Sequence, residues 1–193
     1  MPIPFNMKHI AIFASGSGTN AENIIRYFQK HTSIRVAIVL SNKKDAYVIE
    51  RARRLDIPVY VFDREVFYKT DAILDVLREN KTDLVVLAGF LWLVPENILK
   101  QYANRIINIH PALLPKYGGK GFYGMAVHEA VIRSGDKESG ISIHYVNEKY
   151  DAGQVIFQVR CPVERGDTPE TLAQKVHRLE YEWFPKVIER LLQ

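Results

Sequence analysis

Short apolar runs alternate with amphipathic stretches along the first part of the chain. HIAIFA (His9–Ala14), RVAIVL (Arg35–Leu40), Pro58–Phe62, LVVLAGF (Leu84–Phe90) and IINIH (Ile106–His110) are continuous enough to be buried strands. Between them the apolar positions recur at helical spacing. Ala21, Ile24, Ile25 and Phe28 share one face, Ala46–Leu55 forms a second helix, and Arg64–Asn80 a third with Ile73, Leu74 and Leu77 at core spacing. Pro95 opens a further helix at its first turn, where a missing N–H is tolerated. Such alternation predicts a parallel sheet with helices on both faces.

After His110 the pattern changes. PKYGGKGFYG (Pro115–Gly124) is too rich in glycine to be anything but a loop, and Met125–Arg133 reads as a helix. ISIHYV (Ile141–Val146) alternates as a half-exposed strand does. Tyr150–Gly153 turns, and Gln154–Val163 is a strand that must return antiparallel across so short a connection. Thr168 caps a last helix, with Pro169 at its first position and Thr171 as the second polar residue of the cap. No linker, repeat or low-complexity tract interrupts the 193 residues, so one α/β domain over 1–193 is expected, mostly parallel with antiparallel C-terminal strands.

Composition narrows the classes. A hydrophobic fraction of 47% beside 25% charged residues can bury an ordinary core. The single cysteine, Cys161, excludes an internal disulfide and a cysteine-based metal site, and fits a cytoplasmic protein. Met1–Met7, with Pro2 and Pro4, lacks the charged and apolar regions of a signal peptide, and no apolar run approaches membrane-spanning length. The net charge of +4 favours an anionic substrate. The densest basic group, Arg51, Arg53 and Arg54, reads as a solvated helix face, so neither nucleic acid nor membrane is an expected partner. A small-molecule site on a monomer or homodimer is.

Two stretches carry candidate chemistry. SGSGTN (Ser15–Asn20) joins a strand to a helix. Its glycines would let N–H groups approach an anion at a helix N-terminus, with Ser17, Gly18, Thr19 and Asn20 as donors. It is neither a P-loop nor a full dinucleotide fingerprint, so a single phosphate fits better; an ordinary tight βα turn would use the same residues. The second stretch is Asn108-Ile109-His110-Pro111. Alternate strand residues share a face, so Asn108 and His110 point the same way where proline ends the ladder. Strand carboxyl ends are where ligands sit in open α/β sheets. Asp151, in the later turn, would hold His110 and raise its pKa, giving a cation that stabilises an oxyanion together with the Asn108 amide. No serine or cysteine nucleophile is evident, and Cys161 lies in a core strand. His128 and His144 read as surface or supporting residues; His9, His31 and His177 have no constellation around them, and no metal-ligand spacing is present.

SGSGTN, VVLAGFLWLV, INIHPALLPKYGG and VNEKYDAGQVI, in this order, resemble the phosphoribosylglycinamide formyltransferases, from about His9 to the last helix. The resemblance implies a Rossmann-like, three-layer formyltransferase fold. It implies an N-terminal mononucleotide-binding half (about 8–110) and a C-terminal folate-binding and catalytic half (about 84–193). The implied reaction moves the formyl group of 10-formyltetrahydrofolate to the amine of glycinamide ribonucleotide in purine synthesis, without a metal. Asn108, His110 and Asp151 match the catalytic trio. Ser17, Gly18, Thr19 and Asn20 match the phosphate loop, and Glu180 a carboxylate that contacts the ribonucleotide. Leu91, Trp92, Leu93 and Val94 match one segment lining the pterin pocket, and Asn147, Glu148, Tyr150 and Asp151 another, with Asn108 beside them; Arg64 matches a folate-contacting arginine. Two departures stand out: Trp92 replaces a long polar or basic residue, and GGKGFYGM (Gly118–Met125) replaces a shorter loop, leaving Lys120 and Tyr123 unassigned. The alternative keeps the core and changes the acceptor to water, a sugar amine or an aminoacyl-tRNA. Those enzymes normally carry an extra domain or partner, for which 193 residues leave no room. A nucleotide-binding module without activity would leave Asn108, His110 and Asp151 unexplained.

Overall fold

The computed structural model describes residues 7–193, so the expectation for Met1–Met7 falls, Met7 apart, outside the described residues. The strands are β1 (Lys8–Phe13), β2 (Ile34–Ser41), β3 (Val59–Val61), β4 (Leu84–Leu87), β5 (Ile106–His110), β6 (Glu138–Tyr145) and β7 (Val155–Pro162). They form one sheet in the order β3-β2-β1-β4-β5-β6-β7. The first five are parallel, and β6 and β7 add antiparallel beyond β5. The helices are α1 (Thr19–Phe28), α2 (Tyr47–Arg54), α3 (Arg64–Lys69), α4 (Ala72–Glu79), α5 (Glu96–Gln101), α6 (Met125–Ser134) and α7 (Pro169–Leu192).

Strand alternation sorts the core into two layers. Ile10, Ile12, Ile107, Ile109, Ile141 and Ile143 pack on one face under α1, α2, α6 and α7. Ala11, Phe13, Val85, Leu87 and Ile106 pack on the other under α3, α4 and α5. The residues expected on the buried face of α1, namely Ala21, Ile24, Ile25 and Phe28, are the ones buried.

Several expectations are corrected. Arg64–Asn80 is two helices. Thr70 is extended between them, its hydroxyl donating to the Val66 carbonyl at 2.8 Å and accepting from the Ala72 N–H at 3.3 Å, so a side chain replaces helix bonds. β4 stops at Leu87 because Gly89 is left-handed (φ 76°) and turns the chain back over β1, where Gly89 accepts from the Ser15 N–H at 3.0 Å. Pro95 is the N-cap of α5, not its first residue. The alternation of β6 does not mean exposure. Ser142 and His144 are buried with their apolar neighbours, because the chain after His110 folds over this face: the Ser142 hydroxyl donates to the Ala112 carbonyl at 2.6 Å and accepts from the Leu114 N–H at 2.9 Å.

The last helix starts on a capping box between Thr168 and Thr171. It also contains Pro185, which cannot bond the Tyr181 carbonyl one turn earlier. The Asn23 amide of α1 donates to that carbonyl at 2.9 Å, which ties α1 to α7 next to Glu180.

Phe13 is the centre of the second core layer, with ring centroids of Phe62, Phe67 and Phe90 at 6.0, 6.4 and 5.4 Å. Phe13→Ala should cost roughly 3–5 kcal/mol of stability, read from a lowered urea midpoint at constant m-value.

Candidate active site

Strand order reverses at β1: the chain runs outward through β2 and β3, then returns to β4 on the other side. The turns after β1 and β4 therefore flank a crevice at the strands' carboxyl ends. They are stitched together, because the Ser15 hydroxyl accepts from the Leu91 N–H at 3.1 Å. Gly18 caps α1 in the left-handed region (φ 74°) and is buried against α2, whereas Ser17 is exposed at the crevice. Asn20, in the first turn of α1, donates to Glu180 Oε2 at 3.0 Å.

Asn108 and His110 emerge from the end of β5 on the face opposite Ile107 and Ile109. Asp151 reaches them from the β6–β7 connection, held in the left-handed region (φ 51°) that aspartate tolerates better than most residues. Its carboxylate lies 3.5 Å from His110 Nδ1, 3.5 Å from His144 Nε2 and 3.4 Å from Asn108 Nδ2, and accepts from the Gly119 N–H at 3.0 Å. A side chain at Gly118 would press on Leu114 and Asp151, so the Gly118–Gly119 pair is what lets this loop close on the carboxylate. Burial alone would raise the Asp151 pKa. The His144 bond, the charge interaction with His110 and the Gly119 N–H outweigh it and hold the carboxyl below its ordinary value.

The tautomers follow from the partners. His110 Nε2 lies 2.7 Å from the Tyr117 carbonyl, which only accepts, so Nε2 carries a proton. His144 Nδ1 likewise donates to the Tyr145 carbonyl at 2.8 Å, leaving Nε2 to accept from Asn108 Nδ2 at 3.1 Å. Asp151 pulls the His110 pKa upward as expected, but the expectation that His110 rests as a cation is overturned. The Tyr117 carbonyl also pulls upward, yet burial is the largest influence and leaves the pKa below 6.5. The resting imidazole is therefore neutral at pH 7.

A second polar cluster surrounds Glu180, a buried residue of α7 (4% exposed). Glu180 Oε2 receives the Asn20 amide and His177 Nδ1, the latter at 2.7 Å, and that bond raises the His177 pKa. His128 packs edge-on to His177, with ring centroids 6.4 Å apart. It is buried, its Nδ1 has no partner, and burial followed by the nearby His177 pushes its pKa down to about 4. The Oδ1 of Asn20 is also buried without a partner.

The third component is an aromatic shelf. Trp92 closes a cluster with Phe62, Phe67, Tyr68 and Phe90, and Arg64 lies over the rings of Tyr68 and Trp92 at 5.1 and 5.8 Å. The Tyr68 hydroxyl donates to the Leu93 carbonyl at 2.9 Å and that of Tyr150 to the Leu91 carbonyl at 3.4 Å. Leu91 and Tyr150 are exposed, Val94 is in the core, and Asn147 and Glu148 flank the connection that carries Asp151. Among the described residues no group of His, Cys, Asp and Glu could hold a metal ion, and no helix is long and apolar enough to cross a membrane.

Two residues were misjudged from sequence, and a third, His144, takes the supporting one of its two expected places. His144 is not at the surface: it faces Asn108 directly across the β5–β6 pair. His177 has a constellation after all, in Glu180. Arg51 is not solvated but donates from Nε to the Ser17 carbonyl at 2.8 Å. The i, i+3 spacing of His177 and Glu180 on a helix was the one signal available for any of them.

A family described as formyl transferase matches residues 8–188. The chain is 41% identical over 187 residues to the chloroplastic phosphoribosylglycinamide formyltransferase of Arabidopsis thaliana, covering 94% of this chain and 64% of that one. It is 38% identical over 191 residues to phosphoribosylglycinamide formyltransferase of Bacillus subtilis, covering 96% and 95%. The crystal structure of phosphoribosylglycinamide formyltransferase from Bacillus halodurans superposes with a TM-score of 0.85 at 39% identity, over 96% of each chain.

His128 has a folded pKa of about 4 against 6.5 in the unfolded chain. The unfolded state binds more protons between those values, so this contribution to stability is present above pH 6.5 and lost as pH falls to 4. Between pH 7 and 4 the wild type should lose roughly 3 kcal/mol more than His128→Gln. Urea unfolding at both pH values measures it; equal losses would mean that His128 is not held neutral by the fold.

Proposed function

Because the chain belongs to the formyl transferase family, we propose that it transfers the formyl group of 10-formyltetrahydrofolate to the primary amine of glycinamide ribonucleotide, a step of purine synthesis. The observation that carries this reading is the meeting of Asn108, His110 and Asp151 within 3.5 Å at the sheet's carboxyl edge, beside a glycine turn suited to a phosphate. The named relatives and the matched family support it.

In this reading Ser17, Gly18, Thr19 and Asn20 receive the phosphate, where N–H groups and the α1 terminus favour an anion. Glu180, oriented by Asn20 and His177, accepts hydroxyl or amine protons of the ribonucleotide. The folate supplies the formyl carbon as electrophile. Its flat ring system suits the cleft between Leu91–Val94 and Asn147–Asp151, where backbone groups can pair with its edge. Arg64, already braced on Tyr68 and Trp92, suits the carboxylates of its tail.

As the amine attacks, negative charge grows on the formyl oxygen and positive charge on the amine. Asn108 Nδ2 can keep its bond to His144 and shift the proton it shares with Asp151 at 3.4 Å onto that oxygen. The neutral His110 can gain a proton as its surroundings become more negative, because Asp151 lies against Nδ1 and offsets the cost of a buried cation. The proton shed by the amine passes through the His110–Asp151 pair to the folate nitrogen as its bond to the formyl carbon breaks. Burial of the site limits competition from water.

His110→Ala should lower kcat by about 10²–10⁴-fold with the fold retained, as followed by folate absorbance with glycinamide ribonucleotide present or absent. Equal wild-type rates with and without the amine would make water the acceptor. For the wild type, kcat/KM should rise with pH while the substrate amine loses its proton and then level off up to pH 9. His110, with its pKa below 6.5, is already deprotonated across that range. An alkaline limb centred between pH 7 and 9 would show that a resting imidazolium is required.

A further inference from the structure

The turn between β1 and α1 does not hold its own shape. Its carbonyls are taken by α2: the Val48 N–H donates to the Gly16 carbonyl at 3.1 Å, and Arg51 Nε donates to the Ser17 carbonyl at 2.8 Å. In a trans peptide the C=O and the following N–H point in opposite directions. Pinning these two carbonyls on α2 therefore turns the N–H groups of Ser17 and Gly18 away from it. Neither N–H donates a hydrogen bond among the described residues. The packing admits no alternative at the next position, since a Cβ on Gly18 would lie 2.4 Å from the Val48 side chain.

Arg51 has a second task. Glu22 sits in the first turn of α1, where its charge would repel an anion bound to that terminus. Its carboxylate is bound by Arg51 Nη1 on one oxygen and by Arg26 on the other, through Nε at 2.9 Å and Nη2 at 2.7 Å. The Arg51 guanidinium is itself seated on the Tyr47 ring, 4.9 Å from its centroid, and its side chain is only 26% exposed. A lysine could meet one of these partners but not the carbonyl, the carboxylate and the ring together.

We propose that Arg51 is a positioning residue for the binding of a phosphate monoester at Ser17–Asn20, aiming the Ser17 and Gly18 N–H groups at the anion and neutralising Glu22 beside it. The proposal rests on the reading of that turn as the ribonucleotide's phosphate site. Arg51 touches no reacting atom, so its loss acts on one substrate and not on the chemistry.

The test compares wild type, Arg51→Met, which keeps the stem over Tyr47, and Arg51→Met with Glu22→Gln. Arg51→Met should raise the KM for glycinamide ribonucleotide about tenfold or more, with kcat and the KM for the formyl folate within about twofold. The double variant should recover part of that loss, because the unmatched carboxylate is gone while the carbonyl stays unpinned. Calorimetry with ribose 5-phosphate reads the same subsite without catalysis, and Arg51→Met should bind it about tenfold more weakly. Equal affinity of wild type and Arg51→Met would overturn the role of Arg51 and leave the phosphate reading standing. No binding of ribose 5-phosphate to wild type would overturn both. A variant with a lowered melting temperature and both KM values raised would show Arg51 to be structural only.

Discussion

The half-buried carboxylate of Asp151 is the interaction on which the C-terminal half depends. An ionised carboxylate under a protein surface is tolerated only when donors surround it. Here the donors are the Asn108 amide at the end of β5 and the Gly119 N–H in the loop after the Leu114–Pro115 peptide, and the rings of His110 and His144 lie 3.5 Å from the carboxylate, so three separated parts of the chain meet on it. One charge thus fixes the glycine loop, the β6–β7 connection and two imidazoles relative to one another. Asn108 is committed twice, to His144 and to Asp151, and its amide is held rigid by that commitment.

The same arrangement explains why the central histidine rests neutral. Its two nitrogens face acceptors, Tyr117 and Asp151, which by themselves would favour the cation. Burial is the larger influence. The balance is close in kind to a poised acid–base group: small gains of negative charge nearby move a proton onto it, and loss of that charge releases it. A group that was charged throughout would have to lose solvation before any substrate arrived.

The N-terminal half follows a different rule. Its turn carries no charge of its own and is shaped by neighbours, with α2 taking the carbonyls and α7 meeting α1 through Asn23, Asn20 and Glu180. Pro185 contributes by leaving the Tyr181 carbonyl free for Asn23, so a residue that weakens a helix locally strengthens its contact with another element. The two halves meet where strand order reverses, and Ser15 joins them through the Leu91 N–H.

What the amino-acid sequence determined alone had a short period or a local mechanism behind it. The buried face of α1, the bounds of β5, the cap at Thr168 and the common direction of Asn108 and His110 follow from spacings that any helix or strand imposes. Motif order carried the family. Tertiary structure decided what depends on partners distant in the chain. The register of β5 against β6 placed His144 opposite Asn108, the pairing of α1 with α7 gave His177 and Glu180 their company, and the fold of α2 brought Arg51 to the Ser17 carbonyl. The sign of the His110 shift belongs to this second group. A neighbouring carboxylate is readable as a motif, whereas desolvation is a sum over every atom that covers the ring, and that sum exists only in the folded chain.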